Sequence, residues 1–330
     1  PDYDTRHWRF VTESINDLNR QLKTYGGTVC VMHDHAEQAF RYLLSRYKVL
    51  GVYSHQETGL KVTYDRDKLI SEMLKSHAVP WYEYPQFAVL RGAANRINWK
   101  AEREDFLKQQ TVDPDLAAIH FVQYTFKNKE NALSEYGQPN VFFQQGGESK
   151  AQIVLHDFLS FRYKSYQKNI PNPEAARQSC SRLSPYLAWG NISLRQVYHS
   201  TIQEMQGNGA KRMALSAFVS RLQWHCHFIQ KFESEDRMEF QHVNRGYDEM
   251  PVTLNERFIH AWQEGQTGYP LVDACMRCVK ATGYLNFRMR AMLVSFLCHH
   301  LWQPWQSGVS FLARQFLDFE RGIHYPQFQM

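Results

Sequence analysis

The sequence predicts two architectures in series, an α/β unit with a parallel sheet followed by an all-α unit. Three observations carry this. Short β-branched runs alternate with helical segments through the first hundred or so residues, as strands joined by crossover helices do. After Gly146-Gly147-Glu148 only helical spacing remains. Between the two lies Thr111 to Gln145, polar and broken by Pro114, Gly137 and Pro139. The chain therefore divides into an α/β unit over 1–112, a connection over 113–145 and a helical unit over 146–330.

The α/β unit opens with an amphipathic helix from Asp4 to Tyr25, whose stripe is Phe10, Ile15, Leu18 and Leu22 beside Trp8 and Val11. Gly26-Gly27 ends it. Thr28 to Met32 reads as a first strand because Thr-Val-Cys-Val-Met suits a pleated surface. A helix follows through Leu44, then a second strand from Val49 to Tyr53 and a turn over Ser54 to Gly59. Tyr64 to Ser76 is helical, and Val79 to Tyr82 is a third strand. In the helical unit the periods cover Ala151–Tyr163, Leu194–Gln206, Leu215–Phe232 and Glu256–Gln263.

The stretch from Phe258 to Met330 is the most informative. Gly268 breaks the preceding segment and Pro270 suits a first helical turn. Leu271, Val272, Cys275, Met276 and Val279 share one face, and Gly283 can stop that helix. A second helix has apolar positions at Phe287, Met289, Met292, Val294, Phe296, Leu297 and Leu301. It also carries Arg288 and Arg290 in its first turns. A third runs from about Val309 to Phe319 and ends at Asp318, Glu320 and Arg321. Guanidiniums early in an apolar helix need an anionic partner or solvent, so a pocket for a negatively polarised ligand is expected. Upstream, Ser179 to Ser184 with Pro185 has the make-up of a helix start, where hydroxyls and free N–H groups bind anions.

Composition bounds the rest. Hydrophobic residues are 43% and aromatic residues 14%, with 8 Trp and 21 Phe, which suits large helical cores or stacking surfaces. A net charge of +5 permits nucleic-acid binding without demonstrating it. No run of about 18 apolar residues occurs, so no membrane span is expected. The six cysteines are scattered, as in an intracellular protein with free thiols. Cys275-x-x-Cys278, Cys298-His299-His300 and His33-Asp34-His35 could each contribute to a metal site. They read better as helix residues and a polar strand-end loop, because further ligands at defined spacing are lacking.

Trp262-Gln263-Glu264-Gly265 through Asp273, Met276-Arg277, Thr282-Gly283-Tyr284 and Arg288-x-Arg290 resemble the flavin-binding helical domain of the photolyase/cryptochrome family. So does Ser181-Arg182-Leu183-Ser184-Pro185-Tyr186-Leu187 with Gly190 and Ser193. The resemblance covers roughly Thr5 to Gln327 and implies a Rossmann-like sheet domain followed by a helical FAD-binding domain. On that pattern the family's first strand would precede this chain and a C-terminal part would follow it. The implied cofactor is FAD, with room for an antenna chromophore of folate or deazaflavin type.

The resemblance assigns flavin contacts to Tyr166, Cys180, Ser181, Arg182, Leu183, Ser184, Arg221, Trp224, Arg288, Arg290, Asp318, Glu320 and His324. Cys180 stands where the family usually has Thr. Trp262 and Trp305 match the outer two members of the family's tryptophan electron relay. Its innermost member falls at Phe328, which is not readily oxidised, so Tyr325 or Tyr284 is the expected substitute. Trp224 matches the residue that stacks on damaged bases. Arg221 and His225 stand where dimer photolyases place Glu and Arg, Phe287 aligns with a substrate-contacting Asn, and Met330 with a lesion-packing Trp.

The implied activity is blue-light-driven repair of pyrimidine lesions by electron transfer from reduced flavin, a lyase reaction. The partner would be double- or single-stranded DNA, and the protein a cytoplasmic monomer. The alternative is a cryptochrome-like photoreceptor or redox signalling flavoprotein without dimer repair. A third reading, a scaffold without flavin, is disfavoured by Arg290, Asp318 and the Ser-Arg-Leu-Ser turn.

Overall fold

The computed structural model describes residues 2–93, 95–122, 136, 140–206 and 209–329. Helix α1, Thr5–Leu22, is closed at its start by a capping box between Asp4 and His7. Helix α2, Ala36–Arg46, leads to strand β1, Val52–His55, and helix α3, Lys61–Ser76, leads to strand β2, Trp81–Tyr84. The two strands are parallel, with Val52 opposite Trp81 and His55 opposite Tyr84. Helix α4, Trp99–Lys108, closes this part.

Two of the three expected strands form, both displaced by a few residues. Val79 is taken by the end of α3, where Ala78 is left-handed at φ 56° and the Val79 N–H donates to Leu74 O at 2.9 Å. The ladder therefore starts later. Thr28 to Met32 is not a strand, because Asn19 of α1 captures its backbone, accepting from Val29 N at 2.7 Å. Local side-chain hydrogen bonding outcompetes ladder pairing there. Leu18, expected on the buried stripe of α1, is 41% exposed, while His7, Thr12 and Asp17 are buried.

Beyond the connection the chain is helical, and the described residues include a stretched turn at Phe158–Arg162 and another at Phe296–His300. The helices that matter for the site are α5, Glu148–Asp157, and α6, Tyr163–Asn169. They are followed by α7, Ala175–Ser179, α8, Ser184–Ala188, α9, Leu194–Met205, and α10, Gly209–Glu233. Then come α11, Glu256–Glu264, α12, Pro270–Thr282, α13, Phe287–Ser295, α14, Gln306–Gln315, and α15, Arg321–Phe328.

The helix expected over Val309 to Phe319 runs from Gln306 to Gln315, and a further helix follows it. Leu317 N donates to Gly283 O at 2.9 Å, pulling the chain out of helix after Gln315. Residues 316–320 form a strap and α15 begins at Arg321. The sequence hides α15 behind Gly322 and Pro326, both poor interior helix formers. Gly322 is needed because a Cβ there would sit 2.8 Å from Ile229 Cα of α10.

Packing crosses the connection. Phe10 of α1 and Phe87, Trp99 and Phe106 share one core with Phe158, Tyr186, Leu222 and Ile229. A second core holds Trp262, Met276, Leu293, Leu297, Leu312, Phe316, Tyr325 and Phe328. Among the described residues, only Ile70, Leu74 and Val79, with their partly buried neighbours, make a separate cluster under the sheet. Helix α1 is also tied directly to the helical half. Arg6 Nη1 donates to Gln315 O at 2.8 Å, and Asp17 accepts from Ser149 N at 2.9 Å.

Gly283 is left-handed at φ 69°, and a Cβ there would lie 2.9 Å from Leu317 Cβ. Gly283→Ala is expected to cost about 1–2 kcal/mol from backbone strain alone, with more from the displaced strap. Chemical denaturation should show a lower midpoint with an unchanged slope.

Candidate functional site

Arg290 lies on α13 and Asp318 on the strap after Gln315. The break in the helix turns Asp318 inward, so that its Oδ2 meets Arg290 Nη2 at 2.7 Å. Arg290 is further held by Nε donating to Leu285 O at 2.9 Å, and its guanidinium lies 4.1 Å from the Phe316 ring centroid. Burial opposes ionisation of Asp318, yet the charge and hydrogen bond of Arg290 bring its carboxyl below the ordinary range. The other oxygen, Oδ1, is buried without a hydrogen-bond donor.

Two more guanidiniums converge here. Arg182 stacks 3.6 Å from the centroid of the buried Tyr284 ring, and Arg177 and Arg290 stand 6.0 and 5.9 Å from it. Arg182 is left-handed at φ 60° in the turn entering α8, and Gln144 fixes it by accepting from Nε at 3.1 Å and donating to its carbonyl at 2.8 Å. Burial lowers its affinity for a proton, and nearby Arg177 adds to that effect. The backbone of this turn is propped from below by Arg162, which donates to Cys180 O and, at 3.2 Å, to Ser181 O. Arg177 itself rests on Cys278 Sγ at 3.0 Å and Thr282 Oγ1 at 3.3 Å. Three guanidiniums and one carboxylate with an unfilled oxygen suit an anionic ligand that also carries a hydrogen-bond donor.

The expected contacts divide. Ser181 and Arg182 on the turn before α8, Ser184 at the first position of α8, Arg290 on α13 and Asp318 on the strap lie around this cluster. Leu183 is 1% exposed and belongs to the core. Tyr166 is buried against Phe158 and Phe218, and burial lifts its phenol above the ordinary range. Burial likewise raises the Cys180 thiol. His324 is buried, its Nε2 meets Val309 O at 2.8 Å, and burial pushes its pKa down to about 4. Facing a carbonyl, Nε2 carries the proton, and the ring is neutral at pH 7. Glu320 caps α15 without a side-chain hydrogen bond, and burial lifts its pKa to about 7 against the pull of Arg321. Arg221 and Arg288 are exposed.

Trp224 is 46% exposed and packs on Phe228 of the same helix at 5.7 Å, and Phe228 stacks on Phe287 at 6.2 Å. Phe287 is itself 47% exposed, so these rings, with Arg221 and Arg288, make an aromatic and cationic face. His225 is turned inward, its Nδ1 has no partner, and burial lowers its pKa to about 4. Trp305 and Tyr325 are brought together, edge to face at 6.3 Å. Trp262 is not joined to them. It is fully buried, its Nε1 donates to Leu293 O at 3.1 Å and its ring neighbour is Phe311 at 5.8 Å. That setting suits a core tryptophan.

No group of three metal-ligating side chains is present among the described residues. His33, Asp34 and His35 lie exposed in a loop that no strand precedes. Met330 lies outside the described residues. The sequence did not single out Arg177, Gln144 or Phe228. The first two are polar residues in loop-like stretches, and only the tertiary fold carries them to Tyr284 and Arg182. A separate cleft of about 470 Å³ opens at the carboxyl ends of both strands, lined by His55, Tyr84, Phe106 and Arg195 among others.

Residues 218–330 match the FAD binding domain of DNA photolyase. The chain is 28% identical over 338 residues to the deoxyribodipyrimidine photo-lyase of Halobacterium salinarum, covering 94% of this chain and 68% of that protein. It is 27% identical over 333 residues to the cryptochrome DASH of Gloeobacter violaceus, covering 94% and 66%. A class III photolyase structure from Agrobacterium tumefaciens superposes with a TM-score of 0.84 at 23% identity, covering 100% of this chain and 70% of that one.

Residues 218–330 thus match a photolyase FAD domain, and along most of its length the chain is similar to photolyases and cryptochromes.

It spans about two thirds of the length of these relatives. The fold agrees with the family's order of an α/β part followed by a helical FAD domain, although the described sheet has only two strands. FAD is the cofactor of the matched domain, and the cluster on Tyr284 fits it. The arginines would meet its negative charge, and Asp318 Oδ1, buried without a partner, would offer an acceptor to a ring N–H. No described helix is long and apolar enough to cross a membrane.

Two stability measurements test this electrostatic arrangement. Asp318→Ala leaves Arg290 without its counter-charge and is expected to cost about 3–5 kcal/mol in denaturant unfolding. Glu320 binds its proton more tightly folded than unfolded. Its stabilisation is complete below pH about 4.5 and is lost as pH rises through about 7. Glu320→Gln should therefore remove a decline in stability across that window, and an unchanged pH profile would show that the carboxyl is not desolvated.

Proposed function

We propose that this protein is an FAD-dependent, blue-light-driven photolyase that acts on pyrimidine lesions in DNA. The observation that carries the reading is the buried Arg290–Asp318 pair with its unfilled oxygen, inside the segment that matches the photolyase FAD domain. Bound FAD supplies light-driven one-electron transfer. The protein's own residues do the rest. Arg290 favours negative charge beside it, since a fixed guanidinium needs no reorganisation when charge develops. Asp318 orients Arg290 and presents Oδ1 as an acceptor. Arg182 and Arg177 hold the anionic part of the cofactor, and the turn into α8 places Ser181, with Ser184 at the start of that helix, alongside. His324 offers a neutral ring whose tautomer Val309 O fixes.

The face made by Trp224, Phe228 and Phe287 suits flipped-out bases. Aromatic stacking offsets the stacking lost on extrusion, and Arg221 and Arg288 can meet phosphates. Trp305 and Tyr325 are the relay pair on this reading, because Phe328 cannot be readily oxidised. Helices over 146–330 form the cofactor unit, and residues 1–112 are the antenna-type part, whose chromophore sits outside this proposal. Six cysteines free of disulfides fit a reducing cytoplasmic compartment, with the protein acting as a monomer.

The protein should bind FAD and, with that flavin reduced, restore lesion-bearing DNA only under blue light. Trp224→Ala should weaken lesion binding by about 1–3 kcal/mol while leaving flavin content unchanged. Flavin binding without repair of any pyrimidine lesion would transfer the reading to a photoreceptor, which the loss of the expected Glu at Arg221 and Asn at Phe287 would then explain. Absence of flavin would remove both.

A further inference from the structure

Trp305 is 4% exposed, so an electron reaching it from solution must come through another group. Trp262 is itself fully buried and so gives no exit to solvent, and its ring contact is with Phe311. A different line of rings leads outward. The His242 ring lies edge to face with Trp305 at 6.3 Å, and Tyr247 lies 6.0 Å from His242 with its ring tilted. Tyr247 is 42% exposed, in the short turn Arg245–Tyr247. His242 is held in place by Asp248, whose Oδ1 is 2.7 Å from its Nδ1. Tyr325, Trp305, His242 and Tyr247 therefore form one continuous aromatic line from the buried core to solvent.

We propose that Tyr247 is the surface terminus of the electron path, joined to Trp305 across the His242 ring. The inference rests on the reading of Trp305 as a relay residue. The buried chemistry of Trp305 supports the direction. Its Nε1–H has no acceptor, so an oxidised indole finds no base to take its proton and the electron hole is not trapped there. Tyr247 can release a proton to water. In the step, Tyr247 gives one electron to oxidised Trp305 and its phenolic proton to solvent, restoring the indole and leaving a neutral tyrosyl radical. A thiol in solution then returns a hydrogen atom, becoming a thiyl radical. The oxidant that first acts on the relay is photoexcited oxidised flavin. His242 acts as a bridge, and Asp248 positions it.

The test uses the FAD-loaded protein, flash illumination and electron paramagnetic resonance, with a small thiol as reductant. The wild type should show a tyrosyl radical quenched by the thiol. Tyr247→Phe should lose that signal, leave a tryptophan radical in its place and slow thiol-dependent flavin reduction on the order of tenfold. Being half-exposed, that position should tolerate the change, and circular dichroism checks this. His242→Ala should slow the same step, and His242→Phe should restore it. A Tyr247→Phe protein with the wild-type radical and rate overturns the proposal. If instead Trp305→Phe leaves the Tyr247 radical intact, the reading of Trp305 as relay falls first, and with it the connection proposed here.

Discussion

The bond from Leu317 N to Gly283 O is the constraint on which the site depends. It takes the chain out of helix after Gln315 and strands Asp318 in a short strap. Only from that strap can the carboxylate face Arg290 on a neighbouring helix. Gly283 permits the close approach because it carries no side chain and accepts a left-handed backbone. A continuous helix would have pointed Asp318 elsewhere and left Arg290 as an unpaired charge in an apolar setting. The pair is thus weak evidence for stability by itself but strong evidence for purpose, since an apolar pair could fill that volume at lower desolvation cost.

The rings around this pair sort by protonation chemistry as much as by packing. Trp262 spends its N–H on a helix carbonyl and lies within the core, which suits a structural role. Trp305 keeps an N–H without a partner and touches rings on both sides. Tyr325 sits between Trp305 and His324, and burial together with the Asp2 and Glu239 carboxylates makes its phenol hold its proton tightly. Buried groups that cannot easily lose a proton pass charge on, whereas an exposed phenol can keep it.

Much of this was legible in the sequence. Pro270, Gly283 and the apolar spacing between them delimit α12 as observed. The motif resemblance put both Arg290 and Asp318 among the flavin contacts, and in the fold their side chains meet at 2.7 Å. The misses have physical causes. Thr28 to Met32 has strand composition, but a side chain on α1 claims its backbone. Leu18 is apolar yet exposed, because burial follows what packs against a face and not its hydrophobicity. The last helix was hidden by a glycine and a proline that local propensity reads as breakers, although close contact with Ile229 explains the glycine.

By itself the sequence determined the order of an α/β part and a helical part, the start and stop of α12, and the residue types that an anionic, redox-active ligand requires. Those are local properties, set by backbone preference and by hydrophobic period. Only the tertiary structure decided that Arg177, Arg182 and Arg290 meet on one tyrosine, that α1 packs on the helical half, and that Trp305 opens toward Tyr247 and not toward Trp262. Each of these joins residues far apart in the chain, and the meeting is fixed by long-range packing that no short segment encodes.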